Sequence, residues 1–242
     1  MSGYIDLHSH WVAGIDDGAR TVEDSRELLY ALRDLGFDTV VATPHMRTGM
    51  FDNTRQQIQE AYDATVRELG EDERLPELSL ASEHHLDDIV FQRLVDGEAL
   101  PYRGGKTALI EFPNERFPLK HEERLFDLRC RHIRPVLAHP ERYRPVWKDI
   151  EQLDKLLDGG TVLLLDVGAL VGKYGRQPTQ CAHRLLEEGY YYAACSDAHR
   201  ASDAESTAKG IARLVEVMGK DEADFMLGEG PGNILEGTIQ DP

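Results

Sequence analysis

Seven short apolar segments, alternating with stretches of helical periodicity, constrain this chain more than any other feature. They cover residues 4–7, 39–43, 78–82, 107–111, 134–138, 161–167 and 191–195. Each is rich in β-branched, aromatic or aliphatic side chains and is followed by polar or loop residues, the pattern of a β-strand. Between them, Thr21 and Asp24 form a capping pair ahead of Leu28, Leu32 and Leu35, which share a face before Gly36. Thr54 opens a second helix, with Ile58, Ala61, Tyr62, Val66 and Leu69 at helical spacing and Gly70 behind them. Ile150, Leu153, Leu156 and Leu157 define a third, and two more run over 178–189 and 203–218. Strands alternating with helices make a parallel sheet with helical crossovers. No dinucleotide fingerprint follows the first strand, so the α/β architecture expected is a closed or nearly closed TIM-like β/α barrel. A length of 242 residues suits a single domain over 1–242, and no linker, low-complexity stretch or repeat divides it. Gly228-Glu229-Gly230-Pro231-Gly232 lacks the Lys-Ser/Thr of a phosphate loop and reads as a terminal turn.

The residues at the strand ends are of ligand type. Active sites of β/α barrels lie at the C-terminal ends of the strands. In chain order these ends offer His8 and His10, His45, Glu83, Glu111, His139, then Asp197 with His199; the sixth strand supplies only Asp166. A lone histidine at such a place is ordinary, but eight ligand-type groups at equivalent positions are not. Clustered carboxylates without counter-charge repel one another, and divalent cations remove that conflict. Five imidazoles and three carboxylates without a thiolate suit Zn²⁺, Mn²⁺ or Fe²⁺ and do not choose among them. The set exceeds what one ion takes, so two to three divalent metal ions are expected. Such a centre lowers the pKa of bound water and clamps the oxygens of an in-line phosphoryl displacement. Arg142 and Arg47 follow candidate ligand histidines closely enough to meet an anion above them. Asp16 and Asp17, ahead of Gly18, fit either a turn or proton transfer.

Charge and cysteine content narrow the function. The net charge of −17, from 27 basic and 44 acidic residues, disfavours a general nucleic-acid-binding surface. No apolar run approaches the ~20 residues that cross a bilayer, and no basic segment precedes an apolar one at the N-terminus, so a cytoplasmic protein without membrane insertion is expected. Cys130, Cys181 and Cys195 show neither disulfide nor zinc-site spacing. A thiol-based tyrosine phosphatase needs an arginine six residues after its cysteine. Here Arg200 lies five after Cys195, and neither Cys181 nor Cys130 has one at that distance.

The ordered set of motifs resembles the polymerase-and-histidinol-phosphatase (PHP) superfamily and, within it, the bacterial tyrosine phosphatases of the CpsB/CapC type. The matching pieces are His8-Ser9-His10 with Gly14-Ile15-Asp16-Asp17-Gly18, Thr43-Pro44-His45, Gly49-Met50-Phe51, Ala108-Leu109-Ile110-Glu111-Phe112, Ala138-His139-Pro140-Glu141-Arg142-Tyr143 and Ser196-Asp197-Ala198-His199. The resemblance covers nearly the whole chain and implies a distorted (β/α)₇ barrel. It further implies a trinuclear cluster on His8, His10, His45, Glu83, Glu111, His139, Asp197 and His199, with Arg142 holding the substrate phosphate. Two departures concern the substrate. The arginine usual several residues after the last Asp-x-His is missing, and Arg200 is the candidate to bind substrate in its stead, from a different backbone position; His84 and His85 occupy places where apolar, aromatic or arginine side chains are usual. If the third strand continues, His85 shares a face with Glu83 and lines the pocket.

The expectation is therefore a metal-dependent phosphomonoesterase acting on phosphotyrosine, with a bacterial tyrosine autokinase of capsule or exopolysaccharide regulation as partner. Asp17, His45 and His199 are the candidates for protonating the leaving group. A small phosphate such as histidinol phosphate, an amidohydrolase-type reaction, and a non-catalytic regulator are the alternatives. Turnover of phosphotyrosyl peptide against histidinol phosphate, of amides or lactones, and the effect of chelation distinguish them. Homo-oligomerisation is left open.

Overall fold

All seven expected strand positions are occupied, and every strand pairing is parallel. The structure is a computed structural model and describes residues 3–240. The strands are β1 (Tyr4–Ser9), β2 (Phe37–Ala42), β3 (His45–Met46), β4 (Glu77–Leu80), β5 (Glu83–His85), β6 (Thr107–Glu111), β7 (Arg134–Ala138), β8 (Val162–Asp166) and β9 (Tyr191–Cys195). The second and third expected strands are each broken in two. Thr43-Pro44 separates β2 from β3, where proline has no N–H to donate to a ladder; Ala81-Ser82 separates β4 from β5. Cross-strand bonding continues through both breaks, from Ala81 N–H to Ala42 O at 2.8 Å and from Glu83 N–H to Pro44 O at 3.1 Å.

The order β1-β2-β4 thus passes into β3-β5-β6-β7-β8-β9. The ring closes between its ends, where Ser9 pairs with Ala198 and His10 N–H donates to Ala198 O at 2.9 Å. Nine strand segments form seven staves of a parallel barrel.

Two apolar layers hold it. Leu7, Val41, Leu109, Val136, Leu164 and Ala193 fill the interior, and Ile234 and Leu235 plug its base. Val40, Ile110, Leu137, Leu163 and Ala194 face outward onto the helices. Those helices are α1 (Val22–Asp34), α2 (Arg55–Leu69), α3 (Asp88–Asp96), α4 (His121–Cys130), α5 (Arg144–Lys148), α6 (Asp154–Asp158), α7 (Arg176–Glu187), α8 (Ala204–Met218), α9 (Lys220–Asp224) and α10 (Gly230–Glu236). The capping boxes of α1 at Thr21–Asp24 and of α2 at Thr54–Gln57 are both formed. The glycine-rich stretch near residue 230 is not a turn but helical, ending in α10. Thr107 Oγ1 donates to Ile234 O at 2.6 Å, fixing that helix under the barrel. Among the described residues no helix is long and apolar enough to cross a membrane.

Candidate metal centre

Strict alternation along β1 would place Leu7 inside the barrel and His8 outside. A bulge prevents this. Asp6 pairs with Val40 and Ser9 with Ala42, so three steps on β1 oppose two on β2. The extra residue lets His8 and His10 follow Leu7 toward the interior. Behind the strand, Asp6 accepts hydrogen bonds from Ser196 N–H at 2.9 Å and from Ser196 Oγ, tying β1 to the segment after β9. Burial, opposed by these bonds, pushes the Asp6 carboxyl up to about 6.

Two other candidate ligands sit on left-handed backbone. His139 has φ +35° and Asp197 φ +43°, each beside the end of an inward-facing strand. This region is costly for residues other than glycine. His139 is held by His139 N–H to Leu164 O at 2.9 Å, Asp197 by Lys173 Nζ donating to its carbonyl at 3.0 Å.

The side chains so aimed converge. Glu83 is central: its Oε2 lies 3.4 Å from His8 Nε2, 3.6 Å from His10 Nε2 and 2.9 Å from His45 Nδ1, and its Oε1 lies 3.0 Å from His139 Nε2. Asp197 Oδ1 is 3.3 Å from His8 Nε2, 3.5 Å from His10 Nε2 and 3.8 Å from His199 Nδ1. Asp17 Oδ1 is 3.4 Å from His45 Nε2 and 3.5 Å from His199 Nε2. Four overlapping groups result: His8, His10 and Asp197; His8, Glu83 and His139; His45, Glu83 and Glu111; His10, Asp17, His45 and His199. Within each, the ligand atoms lie within 4.8 Å of one another. All eight residues singled out in the sequence fall in these groups, and Asp17, on the bend after β1, joins them as a further ligand-type oxygen.

The electrostatics reflect crowding of opposite charges in a buried place. Burial raises the Glu83 carboxyl, but the His8 and His45 charges and hydrogen bonds from His139 and His45 outweigh it and hold it well below the usual range. Asp197 is likewise held down against burial by His8, His10 and Arg142. Burial lowers His199, yet its bond to Asp17 and the Asp197 charge carry it up to about 9. Burial and the Arg142 charge depress His139. The His8 and His139 rings turn their Nε2 atoms to Glu83, and their buried Nδ1 atoms have no hydrogen-bond partner. Imidazole nitrogens gathered around shared buried carboxylates, with no thiolate among them, fit divalent cations.

Around the cluster, several side chains acquire roles the sequence did not disclose. Asp16 Oδ2 lies 2.8 Å from His10 Nδ1 and accepts from His45 N–H at 3.2 Å, while its Oδ1 accepts from Gly18 N–H at 3.0 Å. Gly18 is required because a Cβ there would lie 1.9 Å from His10 O. Glu141 is fully buried, accepts from Tyr191 Oη at 2.9 Å and from Asp166 N–H at 3.1 Å, and is pushed up to about 8 by burial and the Asp166 charge. Tyr174 places its ring 4.7 Å beneath the Arg142 guanidinium and its hydroxyl 3.4 Å from Asp197 Oδ2. A hydroxyl bond to a buried carboxylate is visible only once strands distant in sequence are neighbours.

The substrate candidates separate. Arg142 Nη1 bonds Asp197 Oδ2, so the guanidinium stands at the cluster. His85 Nδ1 lies 2.9 Å from Glu111 Oε2 and lines the mouth. His84 faces the other way: its Nδ1–H donates to Leu109 O at 2.7 Å and its Nε2 accepts from Leu100 N–H, and burial lowers it to about 4. Arg47 sits on the tight turn closed by Phe51 and makes no ion pair among the described residues. Arg200 is exposed and lines a separate cavity of about 390 Å³ with Arg20 and Asp24 instead of reaching the cluster.

A parallel seven-stave barrel with imidazoles and carboxylates interleaved at its C-terminal mouth defines a β/α-barrel protein with candidate cation sites. Comparison with known proteins narrows this. The chain belongs to the CpsB/CapC family of capsular polysaccharide synthesis, whose model matches residues 4–236. It is 30% identical over 225 residues to the tyrosine-protein phosphatase YwqE of Bacillus subtilis (strain 168), covering 93% of this chain and 89% of that protein. It is 32% identical over 158 residues to the tyrosine-protein phosphatase CpsB of Streptococcus pneumoniae, covering 64% of each. A crystal structure from work on YwqE and CpsB, described as metal-dependent tyrosine phosphatases, superposes with a TM-score of 0.87 at 30% identity, covering 96% of this chain and 94% of that one. The lactonase Lmo2620 of Listeria monocytogenes shares the fold alone, at a TM-score of 0.58 and 12% identity over 97% of this chain and 94% of that one.

Proposed function

We propose that this chain is a metal-dependent protein-tyrosine phosphatase, acting as a single cytoplasmic unit on an autophosphorylated bacterial tyrosine kinase in capsule or exopolysaccharide regulation. The observation that carries the reading is the sharing of Glu83 between ligand groups beside Arg142. Two or three cations, as manganese, zinc or iron, fit the overlapping groups. When bound, they supply Lewis acidity and a nucleophile at neutral pH. His8, His10 and Asp197, or His8, Glu83 and His139, would hold one; His45, Glu83 and Glu111 would hold a second; His10, Asp17, His45 and His199 would hold the outermost.

The protein's own part is positioning. Arg142, restrained by Asp197 and the Tyr174 ring, presents a planar donor to a phosphate oxygen. Asp16 fixes the His10 ring, directing its Nε2 into the mouth. His85, with Glu111, borders the side where a substrate ring would lie. Asp17, His45 and His199 fall in one ligand group; as ligands the carboxylate would be ionised and the imidazoles neutral, with the remaining ring N–H too weak an acid to serve. Protonation of the leaving phenolate then falls to water, which suffices for a group whose conjugate acid has a pKa of about 10. Alkyl phosphates lack that advantage, which favours phosphotyrosine over histidinol phosphate.

The test is turnover of a phosphotyrosyl peptide and of histidinol phosphate by protein of measured metal content, before and after chelation. Peptide hydrolysis that chelation abolishes and added manganese or zinc restores is expected. Activity indifferent to chelation, or confined to histidinol phosphate, would sink the assignment.

A further inference from the structure

Of the seven phenylalanines in this chain, six have ordinary places. Phe37 and Phe112 are buried in the apolar layer under the helices, Phe91, Phe117 and Phe225 pack against that layer, and Phe126 is exposed on α4. Phe51 differs. It is half-buried, yet among the described residues it joins neither apolar layer. Its ring lies instead parallel to that of His45, with centroids 5.3 Å apart and planes at 7°. Parallel rings at that separation are offset, so part of the Phe51 face is left uncovered. Among the described residues, two aromatic rings other than histidine meet a ligand imidazole: Phe51 on His45 and Tyr143 on His139. Tyr143 is fully buried. Phe51 is the one that touches the cluster and keeps surface toward solvent.

The turn that carries this ring holds its shape. Arg47 N–H donates to Phe51 O at 2.9 Å, and Phe51 N–H donates to Arg47 O at 2.8 Å. Gly49, at φ +78°, lets the chain reverse, and its N–H donates to Asp52 Oδ1 at 2.8 Å. Asn53 Nδ2 donates to His45 O at 2.9 Å and to Ile15 O at 3.1 Å, tying the turn to its own stave and to the loop after β1. The turn follows β3, three staves from β7 in the order β3-β5-β6-β7, so Phe51 faces Arg142 across the seven-stave mouth. The adjacent stave is β5, where the register His45–Glu83 and Met46–His84 brings the start of the turn beside His85.

We propose that Phe51 is a specificity-determining residue, its uncovered face being the wall against which the aryl ring of a phosphate ester lies while Arg142 holds the phosphate. The proposal rests on the phosphotyrosine reading above and deepens it by naming the residue that tells aryl from alkyl phosphates. A phosphate seated on Arg142 leaves its ester group to project toward the opposite wall, where Phe51 offers aromatic surface. An aryl ring gains an offset or edge contact there. A short alkyl group has no ring to place on it, so the same wall contributes little to its binding. The rigid turn matters because a wall already in position costs no ordering when the substrate arrives.

The experiment is a calorimetric titration of phenylphosphonate and of methylphosphonate, both as dianions, into manganese-loaded wild type, Phe51→Ala and Phe51→Tyr. Neither phosphonate has an ester to cleave, so the comparison is free of leaving-group chemistry. Thermal melts check the fold, and a manganese titration checks that each protein is loaded. Wild type should bind phenylphosphonate roughly tenfold more tightly than methylphosphonate, the scale of one apolar subsite. Phe51→Ala should lower that ratio roughly threefold or more by weakening phenylphosphonate alone, and Phe51→Tyr, which keeps the ring, should restore it. Equal affinity of wild type for the two phosphonates overturns the proposal, as does a Phe51→Ala protein that keeps the wild-type ratio. Weakening of both phosphonates in step overturns it too, since a residue that only supports His45 would move the two together. A wild type that shows the ratio but hydrolyses no phosphotyrosyl peptide overturns the phosphotyrosine reading instead, a pattern distinct from the others.

Discussion

Replacing Asp16 with asparagine isolates the contribution of a residue that touches the cluster without joining any of its ligand groups. Asp16 uses both oxygens, one toward His10 Nδ1 at 2.8 Å and His45 N–H at 3.2 Å, the other toward Gly18 N–H at 3.0 Å. With Nδ1–H donating to the carboxylate, His10 keeps the Nε2 lone pair for a cation. An amide of the same shape has one acceptor and one donor. If its oxygen faces His10, its NH₂ meets the Gly18 donor; in the other orientation it meets His10 Nδ1–H and removes the bond that fixes the ring. Partners of this kind are worth 10–100-fold in metal affinity, or about 1.4–2.7 kcal/mol. Competition titration of manganese or zinc into chelator-stripped Asp16→Asn should show that weakening in Kd, with turnover recovering at saturating metal. A thermal melt of the stripped protein separates this from general damage, because a merely structural role would lower Tm without metal by as much as with it. An unchanged Kd would refute the view that Asp16 orients His10 for a ligand role.

Arg142→Lys keeps the charge and discards the planar fork; kcat/KM for a phosphotyrosyl peptide should fall roughly 10–100-fold, and a rate within a factor of two of wild type would count against phosphate binding there. Gly210→Ala should destabilise by about 1–3 kcal/mol, because the added Cβ would lie 2.3 Å from the Val167 carbonyl, a backbone atom that cannot step aside; urea unfolding reads this directly. Thiol reagents at pH 8 should label only Cys130, which is exposed, since Cys181 is buried and pushed up to about 12 and fully buried Cys195 is likewise raised well above the usual thiol range by burial. Mass spectrometry counts the adducts, and full activity of the singly labelled enzyme is expected because the chemistry uses no thiolate.

Much of the architecture was legible because alternation of short β-rich segments with capped amphipathic helices is a local signal. Thr21 and Thr54 announce their helices through side-chain bonds made within three residues. The helix α4 was missed for the opposite reason: it begins at Lys120 on left-handed backbone without a side-chain cap and buries only Leu125 and Leu128. The helix α10 was hidden by its glycines, read as punctuation. Gly230 is instead selected by contact, since a Cβ there would stand 2.8 Å from Tyr192 O. At the site, residue types at strand ends disclosed all eight convergent groups, but not the partners that hold them. Asp16, Glu141 and Tyr174 gain meaning from distances that no spacing encodes, and Arg200, adjacent to His199 in sequence, turns away from it.

The aim of the site depends on departures from regular structure, and this explains why ligand identity was easier to read than ligand direction. Regular alternation carries Leu109 into Glu111 on the inner face without strain. It fails for His8, which needs the bulge between Asp6 and Ser9, and for His139 and Asp197, which need left-handed backbone at roughly 1–3 kcal/mol each. Each departure is clamped by bonds from a neighbouring stave: Ser196 to Asp6, His139 to Leu164, Lys173 to the Asp197 carbonyl. The neighbour β8 therefore does for geometry what it does not do for ligation. The sixth expected strand, which offers the cluster only an unused Asp166, supports it through Leu164 O and through Lys173 on the segment behind it. A stave without a ligand is thus still part of the site, because the strained residues on either side hold their shape against it.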